Sequence, residues 1–381
     1  MQDDSHNLNH DRWFVLGKGS LGCLWATMLR QCGRPVSIIV RDESAGNSRA
    51  IELTYVPPTE DINIGGTESG NSDNENRADL QFTPVQASSK QVFQLEQSSP
   101  AALTHANTQI DRLLIATKSY DAVTALHQVK GLLSANARVI VLCNGLGFHQ
   151  TLYEQLQASS KTIAFYVGVT SEGALLQGDS VLRHTGRGLT RIGAYAPAHP
   201  PSHTVAPSVN PPNKPVSPQD TSALLPPDCA LAIEYTALID QAMVQKFFIN
   251  CAINPLTALY DCLNGQLLQN ETHYHGFKLL CAELQTLYNA YNKQTEPNSS
   301  SASFDLLTQA SHVASVTRAN TSSMLCDYRA GRPLELSALN AQAIKMAHDL
   351  NIECPINAKI VSKLLNPNHG ALLNRRKNLR Y

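Results

Sequence analysis

Nine cysteines are scattered through the 381 residues with no CxxC pair and no regular spacing. That argues against a disulfide framework or a zinc site and fits free thiols in a reducing compartment. A basic excess is missing too. Thirty Lys plus Arg stand against 31 Asp plus Glu, for a net charge of −1, so nothing points to nucleic acid or an anionic membrane. No apolar run approaches the about 20 residues of a membrane span. The first dozen residues, MQDDSHNLNHDR, are polar and acidic, unlike a signal peptide. These absences describe a soluble, cytoplasmic protein without nucleic-acid or membrane partners. The length suggests roughly two domains.

What is present begins at Trp13–Leu16, a short apolar run that reads as a buried strand. Gly17-Lys18-Gly19-Ser20-Leu21-Gly22 follows directly, and Leu21, Leu24, Trp25, Met28 and Leu29 then recur at helical spacing. Gly33 and Pro35 are stop signals, and 36–40 is a second strand. A lone GxGxxG is weak evidence, but this one has strand–turn–helix–strand context within about 30 residues. Such a turn needs Gly17 for its tightness and Gly19 so that backbone can approach a pyrophosphate. Gly22 lets the helix pack against the strand. The pyrophosphate would rest at the positive helix N-terminus; a glycine-rich turn of no function is the alternative. At the end of the second strand an NAD-binder carries an acid, whereas arginine accommodates the 2′-phosphate of NADP. Arg41 stands there with Asp42 behind it, which favours NADP(H) and leaves NAD or dual use open.

Further strands are expected at 112–116, 138–142 and 163–169. Ligands of open parallel sheets sit outside the carboxyl ends of strands, where Lys118 and Asn144 fall. A solvated loop lysine and an Asn-Gly turn are the plain alternatives. Residues 181–193 alternate around glycines like a hairpin or bulged edge pair, and His184 beside that turn suits a structural role better than an acid catalyst. Two stretches look inserted. Residues 59–79 are small and acidic without aromatics, a mobile surface segment by composition. Ten of the 20 prolines fall between Pro197 and Pro227, so that stretch is expected to be extended and exposed. It is a loop near a domain boundary, with an SH3-type ligand as a remoter reading.

After residue 237 the pattern turns helical, at 237–258, 273–292, 303–314, 322–328, 336–350 and 357–365. An α/β, Rossmann-type unit over 11–237 is therefore followed by an all-α domain over 238–381. Within 241–265, Lys246, Asn250 and Asn254 interrupt an otherwise apolar helix at a spacing of four. Each step of four advances by about 40°, so the three share one stripe. Burying an amine and two amides unpaired is costly. The stripe is either a solvated face or a row of groups facing a polar ligand. Pro255 should kink or end the helix, and Asn264 lies in the connection that follows. Thr321-Ser322-Ser323 ahead of Met324 is an N-cap arrangement that accounts for one of three hydroxyls. Glu335, between two leucines at the start of another helix, would be favoured there by the helix dipole.

Together these segments resemble the ketopantoate reductase (2-dehydropantoate 2-reductase) family. The likeness is carried by the 17–22 turn, by Lys118-Ser119-Tyr120-Asp121 and by Asn144-Gly145-Leu146-Gly147. It continues with Lys246, Asn250, Asn254 and Pro255, then with 321–327 and Glu335; the run HTGRGLTRIG from His184 is also similar. It covers residues 11–370 with the acidic and proline-rich stretches as insertions. The resemblance implies NADPH-dependent reduction of 2-dehydropantoate to (R)-pantoate, on the route to pantothenate and coenzyme A, by a monomer or homodimer. By that resemblance Lys246 is the general acid, and the cofactor is held by Gly17, Lys18, Gly19, Ser20, Leu21, Gly22, Arg41, Lys118, Ala174 and Glu335. Asn144 lies where cofactor and substrate meet; Asn250, Asn254, Asn264 and Ser323 bind substrate, and no metal is required. Cys143 stands where the family usually has Gln, and Lys18 is an uncommon choice inside the turn. A reductase of another branched 2-keto acid, or a dinucleotide sensor without catalysis, are the competing readings.

Overall fold

The computed structural model describes residues 11–41, 50–58, 90–158, 161–195, 224–226, 229–295 and 304–366. Asp42, the acidic stretch and most of the proline-rich stretch lie outside these residues.

The first half alternates strand and helix: β1 (Trp13–Leu16), α1 (Ser20–Gln31), β2 (Val36–Ile39), β3 (Ile51–Val56), β4 (Gln91–Ser98), α2 (Pro100–His105), β5 (Ile110–Ile115), α3 (Ser119–Val129), β6 (Leu133–Val141), α4 (His149–Gln157), β7 (Ala164–Thr170), β8 (Gly173–Gln177), β9 (Val181–Gly186), β10 (Leu189–Ala194) and β11 (Ala232–Tyr235). All strands join one sheet in the order β11-β10-β7-β6-β5-β1-β2-β4-β3-β9-β8. From β4 through β2, β1, β5 and β6 to β7 the pairing is parallel, which is the Rossmann-type arrangement. Trp13 and Val15 enter one core while Phe14 and Leu16 enter the other. Burial on both faces explains why β1 is apolar throughout rather than alternating.

The 181–193 hairpin expected from sequence needs correcting. β9 and β10 do not pair with each other. Instead 181–194 runs antiparallel to 164–177, β10 on β7 and β9 on β8, with Gly178 (φ 59°) in the connection between β8 and β9. Interruptions at 171–172 and 187–188 bend this ribbon so that its tip packs on α1 and joins β3. A Cβ on Gly188 would lie 2.5 Å from Ser171, so glycine permits the bend. Alternation signals a strand but not its partner. The strands β3, β4, β8 and β11 went unanticipated. Their short, half-exposed sequences carry a weak pattern, as the burial of β4 shows. The proline-rich stretch also needs correcting at its end, because Leu224 and Leu225 are 3% and 4% exposed within the sheet core.

The second half is helical, with no strand after β11 among the described residues: α5 (Ile239–Tyr260), α6 (Gln266–Gln269), α7 (Glu271–Thr295), α8 (Leu306–Val316), α9 (Ser323–Arg329), α10 (Asn340–Asp349) and α11 (Pro355–Leu365). Helices α7, α8, α9 and α11 pack around α5. Pro255 does not end α5, which continues to Tyr260. Proline lacks the N–H that would reach the carbonyl of Cys251. Asn340 Nδ2 donates to that carbonyl instead, at 3.0 Å. Asn340 is fully buried and locked by reciprocal bonds with Asn357 of 2.7 and 2.8 Å. The single helix expected over 336–350 is broken at Leu339 into a 3-10 turn, Glu335–Ala338, and α10. The carbonyl of Ala338 is taken by the Leu146 N–H at 2.9 Å. Gly145 makes that approach possible, since a Cβ there would lie 2.4 Å from the Ala338 oxygen.

Candidate active site

Helix α5 belongs to both halves. Ile239 and Met243 join the core beside α3 and α4, whereas Val244 onward joins the helical core. A cleft of about 2170 Å³ lies between the halves, and Lys246, Asn250 and Asn254 all line it. The stripe therefore faces a cavity walled on its other side by the carboxyl ends of the parallel strands. Gly17, Lys18, Gly19, Ser20, Leu21, Arg41, Lys118, Asn144, Ala174, Asn264, Ser323 and Glu335 also line it. Of the anticipated residues only Gly22 does not line the cleft, being buried in α1.

At the turn, the glycine roles read from sequence have a steric basis. Gly17 has φ 112°, and a Cβ there would meet the Ala116 oxygen at 2.9 Å. A Cβ on Gly22 would sit 2.0 Å from the Gly17 oxygen. On Gly19 it would meet nothing nearer than 3.8 Å, so this face is open to an incoming group. Gly19 is the N-cap of α1 and the helix has no side-chain cap. An uncapped N-terminus behind an open glycine fits the pyrophosphate of a dinucleotide. The Ser20 hydroxyl accepts from Leu176 N at 3.0 Å, tying the turn to β8 near Ala174. Lys18 faces Asp179 at 4.0 Å, and Arg41 pairs with Asp121.

Deeper in the cleft, Lys246 Nζ donates to Asn144 Oδ1 at 3.0 Å. Burial lowers the Lys246 pKa from 10.5 to about 8, opposed by the Glu335 carboxylate, which raises it. Asn264 is 7% exposed, donates to Thr317 Oγ1 at 2.9 Å and leaves its buried Oδ1 without a partner among the described residues. Ser322 rather than Ser323 caps α9, accepting from Leu325 N at 3.1 Å. Ser323 is left exposed at the cleft wall.

Glu335 and Lys118 make a clasp between the halves. Glu335 Oε1 accepts from the Ser119 N–H and hydroxyl, both at 3.0 Å, so it caps α3 rather than a helix of its own. Lys118 Nζ donates to Asp327 at 2.6 Å and to Glu335 at 3.4 Å. Burial would lower the Lys118 pKa, but Glu335 and then Asp327 outweigh it and hold the ammonium above its ordinary value. Asp327 was not singled out from sequence. The available signal was an acid three residues after Met324, on the buried side of a short helix.

His184 does not line the cleft. It is 4% exposed and bonded to Tyr55 at 2.9 Å and Glu172 at 2.6 Å, a packed structural network. Cys143 is buried, which pushes its thiol up to about 12.

Residues 13–197 match the family model described as ketopantoate reductase PanE/ApbA, and residues 238–366 match that of its C-terminal part. Among curated relatives, the 2-dehydropantoate 2-reductase of Vibrio cholerae is 24% identical over 92% of this chain and 95% of its own length. That of Yersinia pestis is 27% identical over 66% of this chain and 72% of its own. Among solved structures, D-mandelate dehydrogenase with NADH and anilino(oxo)acetate shares the fold, with a TM-score of 0.68 at 16% identity. It aligns over 95% of this chain and 99% of that one.

Proposed function

Because the chain belongs to the ketopantoate reductase family, we propose that it reduces 2-dehydropantoate to (R)-pantoate with NADPH, on the route to pantothenate and coenzyme A. Residues 11–237 hold the cofactor and 238–381 the substrate, with Lys246 as general acid. The observation that carries this reading is the Lys246 amine. It lies in the cleft, is oriented by Asn144 at 3.0 Å and has a pKa of about 8.

When bound, the reduced nicotinamide supplies a hydride to the keto carbon. The 17–22 turn would hold its pyrophosphate, Arg41 the 2′-phosphate, and Asn144, Ala174 and Glu335 the nicotinamide end. Negative charge that develops on the substrate oxygen needs a positioned cation and a proton, and the Lys246 ammonium provides both from one atom. Its lowered pKa makes it a stronger acid near neutral pH than a solvated lysine. Asn144 Oδ1 accepts one of three ammonium hydrogens and fixes the direction of the others. Asn250, Asn254, Asn264 and Ser323 orient the carboxylate and hydroxyl of the substrate, which restricts it to near-attack geometry. The vacant Asn264 Oδ1 is an acceptor suited to a substrate hydroxyl.

The test is NADPH oxidation with 2-dehydropantoate set beside 2-ketoisovalerate and pyruvate, repeated with NADH. The proposal expects 2-dehydropantoate to give the highest kcat/KM. A higher value for another keto acid would reassign the substrate, and no oxidation with any of them would remove the catalytic reading.

A further inference from the structure

The cations that line the cleft are almost all committed. Among the described residues, Lys18 faces Asp179, Arg41 pairs with Asp121, Lys118 with Asp327 and Glu335, Arg191 with Glu234, and Arg332 with Asp327. Lys246 is bonded to an amide instead. A cofactor phosphate arriving at Arg41 therefore meets a guanidinium that already has a carboxylate on it. Arg41 follows β2, and its side chain is 71% exposed at the cleft. Asp121 reaches it from the first turn of α3, past the carboxyl end of β1, which lies between β2 and β5 in the sheet. The Asp121 N–H is bonded to the Lys118 carbonyl at 3.0 Å, so its backbone is fixed by the same turn that carries the Lys118 clasp.

We propose that Asp121 sets how strongly this chain prefers NADPH over NADH, by competing with the adenosine 2′-phosphate for the Arg41 guanidinium. The inference rests on the reading of Arg41 as the 2′-phosphate residue. A 2′-phosphate carries about −1.5 to −2 charges near neutral pH. To bind Arg41 it must displace Asp121 or lie beside it, and like charges at that range repel. The 2′-hydroxyl of NADH brings no such charge, and Asp121, held at the end of β2 by Arg41, offers it a carboxylate acceptor like the one an NAD-binder carries on that strand end itself. The carboxylate thus weakens selection for the phosphorylated cofactor while supporting the other. Arginine alone at the strand end would predict a stricter preference than the pair does.

The experiment measures kcat/KM for NADPH and for NADH in the parent, Asp121→Asn, Asp121→Ser and Arg41→Ala enzymes. Calorimetric titration with 2′,5′-ADP and 5′-AMP reads binding independently of turnover. Both Asp121 variants are expected to raise the NADPH-to-NADH ratio about tenfold, equivalent to about 1.4 kcal/mol, and to tighten 2′,5′-ADP relative to 5′-AMP. Having two variants guards against one that folds poorly. Arg41→Ala is expected to weaken NADPH more than NADH. A ratio that stays level or falls in both Asp121 variants, while Arg41→Ala selectively loses NADPH, would overturn the role of Asp121 and leave the Arg41 reading standing. If Arg41→Ala shows no selective loss, the parent reading of Arg41 fails and this inference fails with it.

Discussion

Replacing Lys246 with methionine should abolish most turnover and at the same time stabilise the fold. Burial displaces its pKa from 10.5 to about 8. At about 1.4 kcal/mol per unit, that is a penalty of about 3 kcal/mol for holding the charge. The variant leaves Asn144 Oδ1 without its donor, which costs about 1 kcal/mol. A net gain of about 2 kcal/mol remains near pH 7, read as a rise of a few degrees in Tm. The sign depends on pH. Below about pH 8 folded and unfolded lysine are both protonated, and the penalty is complete. Between about 8 and 10.5 the folded chain releases its proton while the unfolded chain keeps it, so parent stability rises with pH and the penalty fades. The advantage of the methionine variant should therefore be greatest below pH 8 and disappear as pH approaches 10.5. Denaturant unfolding of both proteins between neutral and alkaline pH measures it. Turnover should fall by about 10²–10⁴, the usual worth of a positioned general acid. In the parent, reductive kcat/KM should decline above about pH 8. A less stable variant at pH 7, a stability gap that ignores pH, or near-normal turnover would each refute the reasoning.

Three further outcomes follow from the packing. Asn340→Ala orphans the Cys251 carbonyl opposite Pro255 and should cost about 1–3 kcal/mol. Adding Pro255→Ala restores the helical N–H and should recover part of that loss in urea unfolding; equal stability of single and double variants would argue against the bridge. Gly22→Ala forces a Cβ to 2.0 Å from the Gly17 oxygen and should lower Tm sharply, whereas Gly19→Ala should fold normally and bind NADPH more weakly by calorimetry. His149 is buried, its pKa depressed by burial from 6.5 to about 3. It stays neutral in the fold while the unfolded chain takes up a proton, so stability is lost as pH falls from 6.5 toward 3. His149→Leu should flatten that acid limb, and an unchanged limb would assign it to other groups.

Much of the first half was legible because its signals are local. The contact that requires glycine at 22 is with Gly17 in the same turn, although Gly17 itself is also pressed by Ala116 and Thr117 at the distant end of β5. The apolar runs of β1, β2, β5, β6 and β7 reflect burial on both faces of one sheet. The same locality explains what went wrong. Residues 181–194 carry the alternation of strands, but their partners are fixed by 164–177 and by β3. Pro255 is a helix breaker in any local account, and the amide that relieves it comes from Asn340.

The candidate site divides in the same way. Sequence alone determined that Lys246, Asn250 and Asn254 share a helix face and that a tight glycine turn joins β1 to α1, because a spacing of four and a glycine's lack of Cβ are properties of the chain itself. Whether that face meets water or a cleft was settled only when α5 was seen to pack into both halves, with Asn144 brought to Lys246 across 102 positions of sequence. The Lys118–Asp327–Glu335 clasp and the Arg41–Asp121 pair belong to the tertiary structure as well. Charge pairing acts through space at a few ångströms, and no periodicity in the chain records which residues folding brings that close.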